Sequence, residues 1–116
     1  MPRPHDPRQT FRARLKQART RVGISQRELG IQAGLDPFVA SARMNRYERG
    51  AHEPDLAMIG RLAEVLDVPV AYFFAADELI AQLLLAAHVL PLAQRDALLS
   101  SVRGDAPHSV VRTERT

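Results

Sequence analysis

Between Ser25 and His52 the chain gathers side chains that hydrogen-bond in planar, directional ways: Gln26, Arg27, Ser41, Arg43, Asn45, Arg46, Arg49 and His52. A guanidinium forks onto two acceptors, such as O6 and N7 of guanine. A carboxamide offers one donor and one acceptor, the pair that adenine presents in reverse. In "PFVASARMNRYERG", Ala40, Met44 and Tyr47 recur at helical spacing, while Ser41, Arg43, Asn45 and Arg46 fall largely on the other side. Arg49, at the end of this stretch, and His52, beyond it, would meet a phosphate backbone. Phe38 and Val39 lie at its start and offer apolar contact of the kind a thymine methyl takes. The alternative for Phe38 is packing on the preceding helix.

Other chemistries are poorly supplied. There is no Cys, which excludes disulfides, thiolate metal sites and cysteine nucleophiles. His52, Glu53 and Asp55 are too sparse for a metal site, and none is expected. No Gly-rich phosphate loop or HExxH spacing occurs, and the Ser, His and Asp residues lack the context of a catalytic triad. No enzymatic activity and no cofactor are expected.

The 116 residues fit one domain, and 46% hydrophobic with 25% charged residues is ordinary globular composition. Aromatics are only 5%, so the core must be aliphatic. No apolar run approaches the roughly 20 residues of a membrane span, and the first ten residues do not resemble a secretory signal. A soluble cytoplasmic protein with no membrane partner is therefore expected. The net charge is only +3, but residues 1–27 hold eight Lys/Arg against one acid, and the remainder is net acidic. A basic front end suits a polyanion; a solvated helix face with a basic tail is the plainer reading.

The positioning elements are all helical. Residues 1–9 read as a flexible basic arm, either following a groove or simply disordered. Thr10 is placed to cap a helix from about Phe11, with Leu15, Ala18 and Val22 on its inner face and Gly23 as its stop. Ser25 with Glu28 forms a capping box for a second helix that turns inward Leu29, Gln32 and Ala33. Gly34 makes the turn, and Asp36-Pro37 is a further helix start. Asp55 opens a fourth helix, with Leu56, Ile59, Leu62, Ala63 and Leu66 as its stripe. Pro69 begins a short helix holding Tyr72, Phe73 and Phe74, for which core packing is expected. Asp77 caps a sixth helix to about Leu90, and a seventh follows Pro91. Residues 104–116 read as a disordered tail.

Two short helices joined by a Gly turn define a helix-turn-helix, whose first helix braces while the second lies in the major groove. Together with Leu15, Arg19, "GISQRELG", Gly34, "YERG", Pro54 and "IGRLAEVLDVP", the pattern resembles the phage repressor and Cro-like (XRE-type) family over about Phe11 to Phe74. The resemblance implies an all-α, five-helix repressor-like DNA-binding domain over 10–75, with one or two carboxyl-terminal helices added here over 76–103. It also implies that Gln26 meets a phosphate and the leading edge of the recognition helix, and that Glu48 is structural, pairing with Arg19, rather than a catalytic acid. One departure stands out. Gly34 to Glu48 spans fourteen residues where the family has about ten, an excess of one helical turn. The spacing predicts a recognition helix extended at its leading end; the alternative is a longer turn, which Pro37 permits.

The expected function is that of a sequence-specific double-stranded DNA-binding transcriptional regulator, a repressor working as a homodimer. In the extension, Leu79, Ile80, Leu83, Leu84 and Leu90 either form a dimer seam or complete the monomer core. The competing reading is a protein-interaction module, such as an antitoxin, whose Leu-rich half binds a partner protein.

Overall fold

The computed structural model describes residues 6–104. The chain divides into two compact units, Met1–Leu85 and Ala86–Thr116. Its elements are α1 (Pro7–Val22), α2 (Gln26–Gln32), α3 (Ala40–Arg49), α4 (Leu56–Leu66), a 3-10 helix (Val70–Phe74), α5 (Glu78–His88) and α6 (Leu92–Arg103). No strand occurs among the described residues, and no helix there is long and apolar enough to cross a membrane.

Helix α1 starts earlier than the sequence suggests. Asp6, in extended conformation, accepts a hydrogen bond from the Arg8 N–H, and Pro7 occupies the first helical position. Pro is at home there because its missing N–H would have had no partner. Thr10 is therefore inside the helix rather than its cap; residues 7–9 of the expected arm are helical, and its residues 1–5 lie outside those described. The expected tail beyond Gly104 lies outside them as well.

The core of the first unit is built on Leu15, Ala18, Leu29, Met44, Leu62, Leu66 and Phe73, all almost fully buried. Phe11 meets Phe73 edge-on at 5.2 Å between ring centres and stacks on Phe74 at 5.8 Å. Aromatic pairs in these arrangements add about 0.5–1.5 kcal/mol to their burial. Three inward assignments are corrected. Val22 is exposed at the end of α1, Gln32 is exposed and donates to Glu28, and Leu56 is exposed at the start of α4, where Met58 is buried instead. Gln32 sits one position before Ala33, to the side of the stripe set by Leu29 and Ala33, and Leu56 precedes the turn that packs.

Arg14 is buried on the inner face of α1. Its Nε donates to the Ala75 carbonyl at 2.9 Å, and Nη1 donates to Gln17 at 2.9 Å and Glu78 at 2.7 Å. The guanidinium also lies 5.6 Å from the centre of the Tyr72 ring. It thereby ties α1 to the chain leaving the 3-10 helix and to the start of α5. On α5, Ala81 is buried, Leu84 and Leu85 pack partly on the core, and Leu79, Ile80 and Leu83 are exposed.

In the second unit, α6 begins after Pro91 and ends on Gly104 in the left-handed conformation. Ser100 is its buried side chain, whereas Leu92, Leu98, Leu99 and Val102 are exposed.

Candidate nucleic-acid interface

Helices α2 and α3 pack closely because Gly30 lets them. A Cβ at Gly30 would stand 2.9 Å from the Ala40 Cβ, closer than real Cβ atoms come, and a tight 3.1 Å from its carbonyl oxygen. Ser25 caps α2, its Oγ accepting from the Glu28 N–H at 3.0 Å. Arg61 of α4 donates to the Ala33 carbonyl at 2.8 Å and so satisfies the other end of α2.

The connection between these helices settles where the four surplus residues go. Residues 37–39 form a turn, and α3 begins only at Ala40. Asp36 holds this turn twice: its carboxylate accepts from the Phe38 N–H at 2.8 Å and its carbonyl from the Val39 N–H at 3.0 Å. The expected extension of the recognition helix is thus replaced by a longer turn. The ring of Phe38 is 98% exposed at its tip and does not pack on α2. An Asp side chain bonded to the backbone two residues on offers an alternative to the helix, and an unburied Phe38 gives a helical turn nothing to gain.

On α3, Ala40, Met44 and Tyr47 are buried. The opposite face exposes Ser41, Ala42, Arg46 and Arg49, with Arg43 and Asn45 half-buried at its margins. Ala42 was not singled out in the sequence, yet it lies between the polar side chains on this face. Its small size leaves the middle of the face open to close approach, a property that helical periodicity alone could have signalled.

One ion pair sets the orientation of α3. Arg19 Nε donates to Glu48 at 2.6 Å and Nη2 to the same carboxylate at 3.1 Å, while Nη1 reaches the Ile24 carbonyl at 3.0 Å. The Glu48 side chain is 4% exposed and that of Arg19 14%. Gln26 joins them, its Nε2 donating to Glu48 at 3.0 Å and to Asn45 Oδ1 at 3.4 Å. Both amide hydrogens of Gln26 are committed inside the protein, so a phosphate contact through that amide would have to break one of these bonds.

The arginines divide into two sets. Arg8 pairs with Glu53, Arg12 donates to the Arg49 carbonyl, Arg14 serves the Ala75–Glu78 segment, and Arg19 binds Glu48. Half of the basic front end therefore serves the fold. Arg21, Arg27, Arg43, Arg46 and Arg49 make no side-chain ion pair or hydrogen bond among the described residues. His52 lies beyond Gly50, its ring 5.8 Å from that of Tyr47, on a cavity of about 170 Å3 that Phe11, Arg12 and Phe74 also line. No group of residues that could hold a metal ion occurs among those described.

Comparison with known proteins agrees with this geometry. Residues 10–72 match the model of a helix-turn-helix domain family. An uncharacterized HTH-type transcriptional regulator of Sinorhizobium medicae (strain WSM419) and another of Rhizobium meliloti (strain 1021) are each 32% identical over 62 residues. These matches cover 53% of this chain and 42% of each relative, so the chain spans less than half of their length. The crystal structure of the transcriptional regulator BswR superposes with a TM-score of 0.76 at 41% identity, covering 80% of this chain and 92% of that one. With more than half its length matched, and with α2 and α3 joined as that architecture requires, the chain belongs to the XRE-like helix-turn-helix family.

Proposed function

We propose that this chain is a sequence-specific double-stranded DNA-binding transcriptional regulator that inserts α3 into the major groove and represses by occupying its site. The observation that carries this is the division of the arginines. Arg43, Arg46 and Arg49 stand on or beside the outer face of α3 with no acceptor among the described residues, while Arg8, Arg12, Arg14 and Arg19 of α1 are taken up by the fold. A guanidinium left unpaired next to a helix of groove-compatible width is suited to phosphate and to guanine. Ser41, Asn45, Phe38, Arg27 and His52 border the same face or its flanks and complete the proposed contact set, and Gln26 supports it from within.

The reading includes a homodimer. Leu79, Ile80 and Leu83 form an exposed apolar face on α5, Leu79 at 69% exposure, continued by the half-buried Leu84. Leu90 belongs to the second unit and is half-buried. A second copy of the chain fits this face best, because two recognition helices on one duplex require a two-fold arrangement about 34 Å apart.

Selection of bound sequences from a random duplex pool tests the reading, with sedimentation in parallel. A two-fold symmetric site, lost affinity in Arg46→Ala and a particle of twice the 12.9 kDa chain mass are expected. Indifference to duplex sequence, together with a stable complex with another protein, would establish the interaction-module reading instead.

A further inference from the structure

The ion pair beneath α3 does more than hold the helix, because it dictates the hydrogen-bond polarity of Asn45. A carboxylate only accepts hydrogen bonds. The group that Gln26 turns towards Glu48 must therefore be its NH2, and the 3.0 Å contact is made by Nε2. The second hydrogen of the same NH2 points to Asn45 at 3.4 Å, so Asn45 must answer with Oδ1. The direction then runs in one sense, from the charge of Glu48 through two carboxamides. Asn45 is left with Nδ2, which has no partner among the described residues and is not among their buried unsatisfied atoms. It is a donor open to solvent.

We propose that Asn45, held by Gln26 and Glu48, acts as a hydrogen-bond donor to one base and selects guanine or thymine there rather than adenine. This rests on the reading of α3 as the helix in the groove. In the major groove guanine presents two acceptors, N7 and O6, and thymine presents O4. Adenine presents an acceptor beside a donor. Its two-bond contact with Asn requires Oδ1 and Nδ2 together on the base edge, whereas Gln26 draws Oδ1 back towards α2. Cytosine offers a donor in the groove and meets Nδ2 donor to donor. Gln26 is thus a positioning residue, and Asn45 the residue that reads.

The test is selection from a random duplex pool with four proteins: wild type, Asn45→Ala, Asn45→Asp and Gln26→Leu. Asn45→Ala identifies the column of the site that depends on this side chain, because only there does preference collapse. In the wild type that column is expected to hold guanine or thymine over adenine by about fivefold or more, the lower end of what one good base contact discriminates. Asn45→Asp keeps an acceptor for Gln26 but presents an oxygen outward, so the same column should turn to cytosine or adenine, whose amino groups donate. Gln26→Leu frees the Asn45 amide to turn over, and adenine should rise at that column while the others hold. A purely structural role for Gln26 would lower affinity at every column alike. Adenine at that column in the wild type, or no change of base in Asn45→Asp, overturns the assignment while leaving α3 in the groove. Loss of all duplex preference in the wild type overturns the reading beneath it.

Discussion

Replacing Glu48 by Leu should unfold the domain far below its normal midpoint. The carboxylate is 4% exposed and accepts three hydrogen bonds, two from Arg19 at 2.6 and 3.1 Å and one from Gln26 at 3.0 Å. Leu removes all three and leaves Arg19, itself only 14% exposed, without its counter-charge. Breaking a buried pair from one side costs about 3–5 kcal/mol. For a domain of this size, about 3 kcal/mol lowers the melting midpoint by roughly 12–24 °C. Arg19→Met should cost a similar amount, since it strands the carboxylate. The double variant, Arg19→Met with Glu48→Leu, should sit within about 2 kcal/mol of the wild type, because a matched apolar pair strands no charge. Urea titrations followed by far-ultraviolet circular dichroism give the three differences and their non-additivity. Single variants that lose less than about 1 kcal/mol would mean that the pair behaves as if on the surface. Strict additivity in the double variant would refute the coupling.

Two further outcomes follow from the packing and the charges. Gly30→Ala should lower the melting midpoint and Gly60→Ala raise it, although both lie within helices. Ala is favoured by up to about 1 kcal/mol at either position, but only at Gly30 does the new methyl collide with Ala40, where overpacking costs about 1–3 kcal/mol. Glu78 responds to pH: its hydrogen bond from Arg14, aided by one from Gln82, holds the carboxyl below its ordinary value of 4.5. A lowered folded-state value stabilises above the unfolded-state value, and that contribution disappears as pH falls through the folded one. Stability curves from pH 6 to pH 3 should therefore fall more steeply for wild type than for Glu78→Gln, with the two differing little in slope above about pH 5.5.

Most of the helices were legible because their signals are local. The caps Ser25, Asp55 and Asp77 each accept from an N–H three residues on, so a few adjacent letters specify them. The same locality misleads where burial decides. Asp6-Pro7 and Asp36-Pro37 are the same dipeptide, yet the first opens a helix and the second opens a turn. After Pro7 come Phe11, Arg14, Leu15 and Ala18, all buried, so a helix gains a core face. After Pro37 comes Phe38, which finds nothing to pack against. Arg14 shows the converse. It sits on the inner stripe between Phe11 and Leu15, but only the chain passing at Ala75 and Glu78 makes a buried guanidinium tolerable. The side chains proposed to meet DNA are those that type and spacing single out. Their hydrogen-bond polarity was not, because it descends from a contact between residues 22 positions apart.

The commitment of Arg8, Arg12, Arg14 and Arg19 to partners within the fold bears on how ionic strength would govern binding. Each phosphate neutralised by a side chain sheds condensed cations, and the logarithm of affinity falls with the logarithm of salt in proportion to the number shed. A guanidinium already matched to an internal carboxylate or carbonyl liberates few. On the proposed reading, the steepness of that dependence would follow the uncommitted cations that reach phosphate, drawn from Lys16, Arg21, Arg27, Arg43, Arg46 and Arg49, and a tally of every basic letter along the amino-terminal third would overstate it.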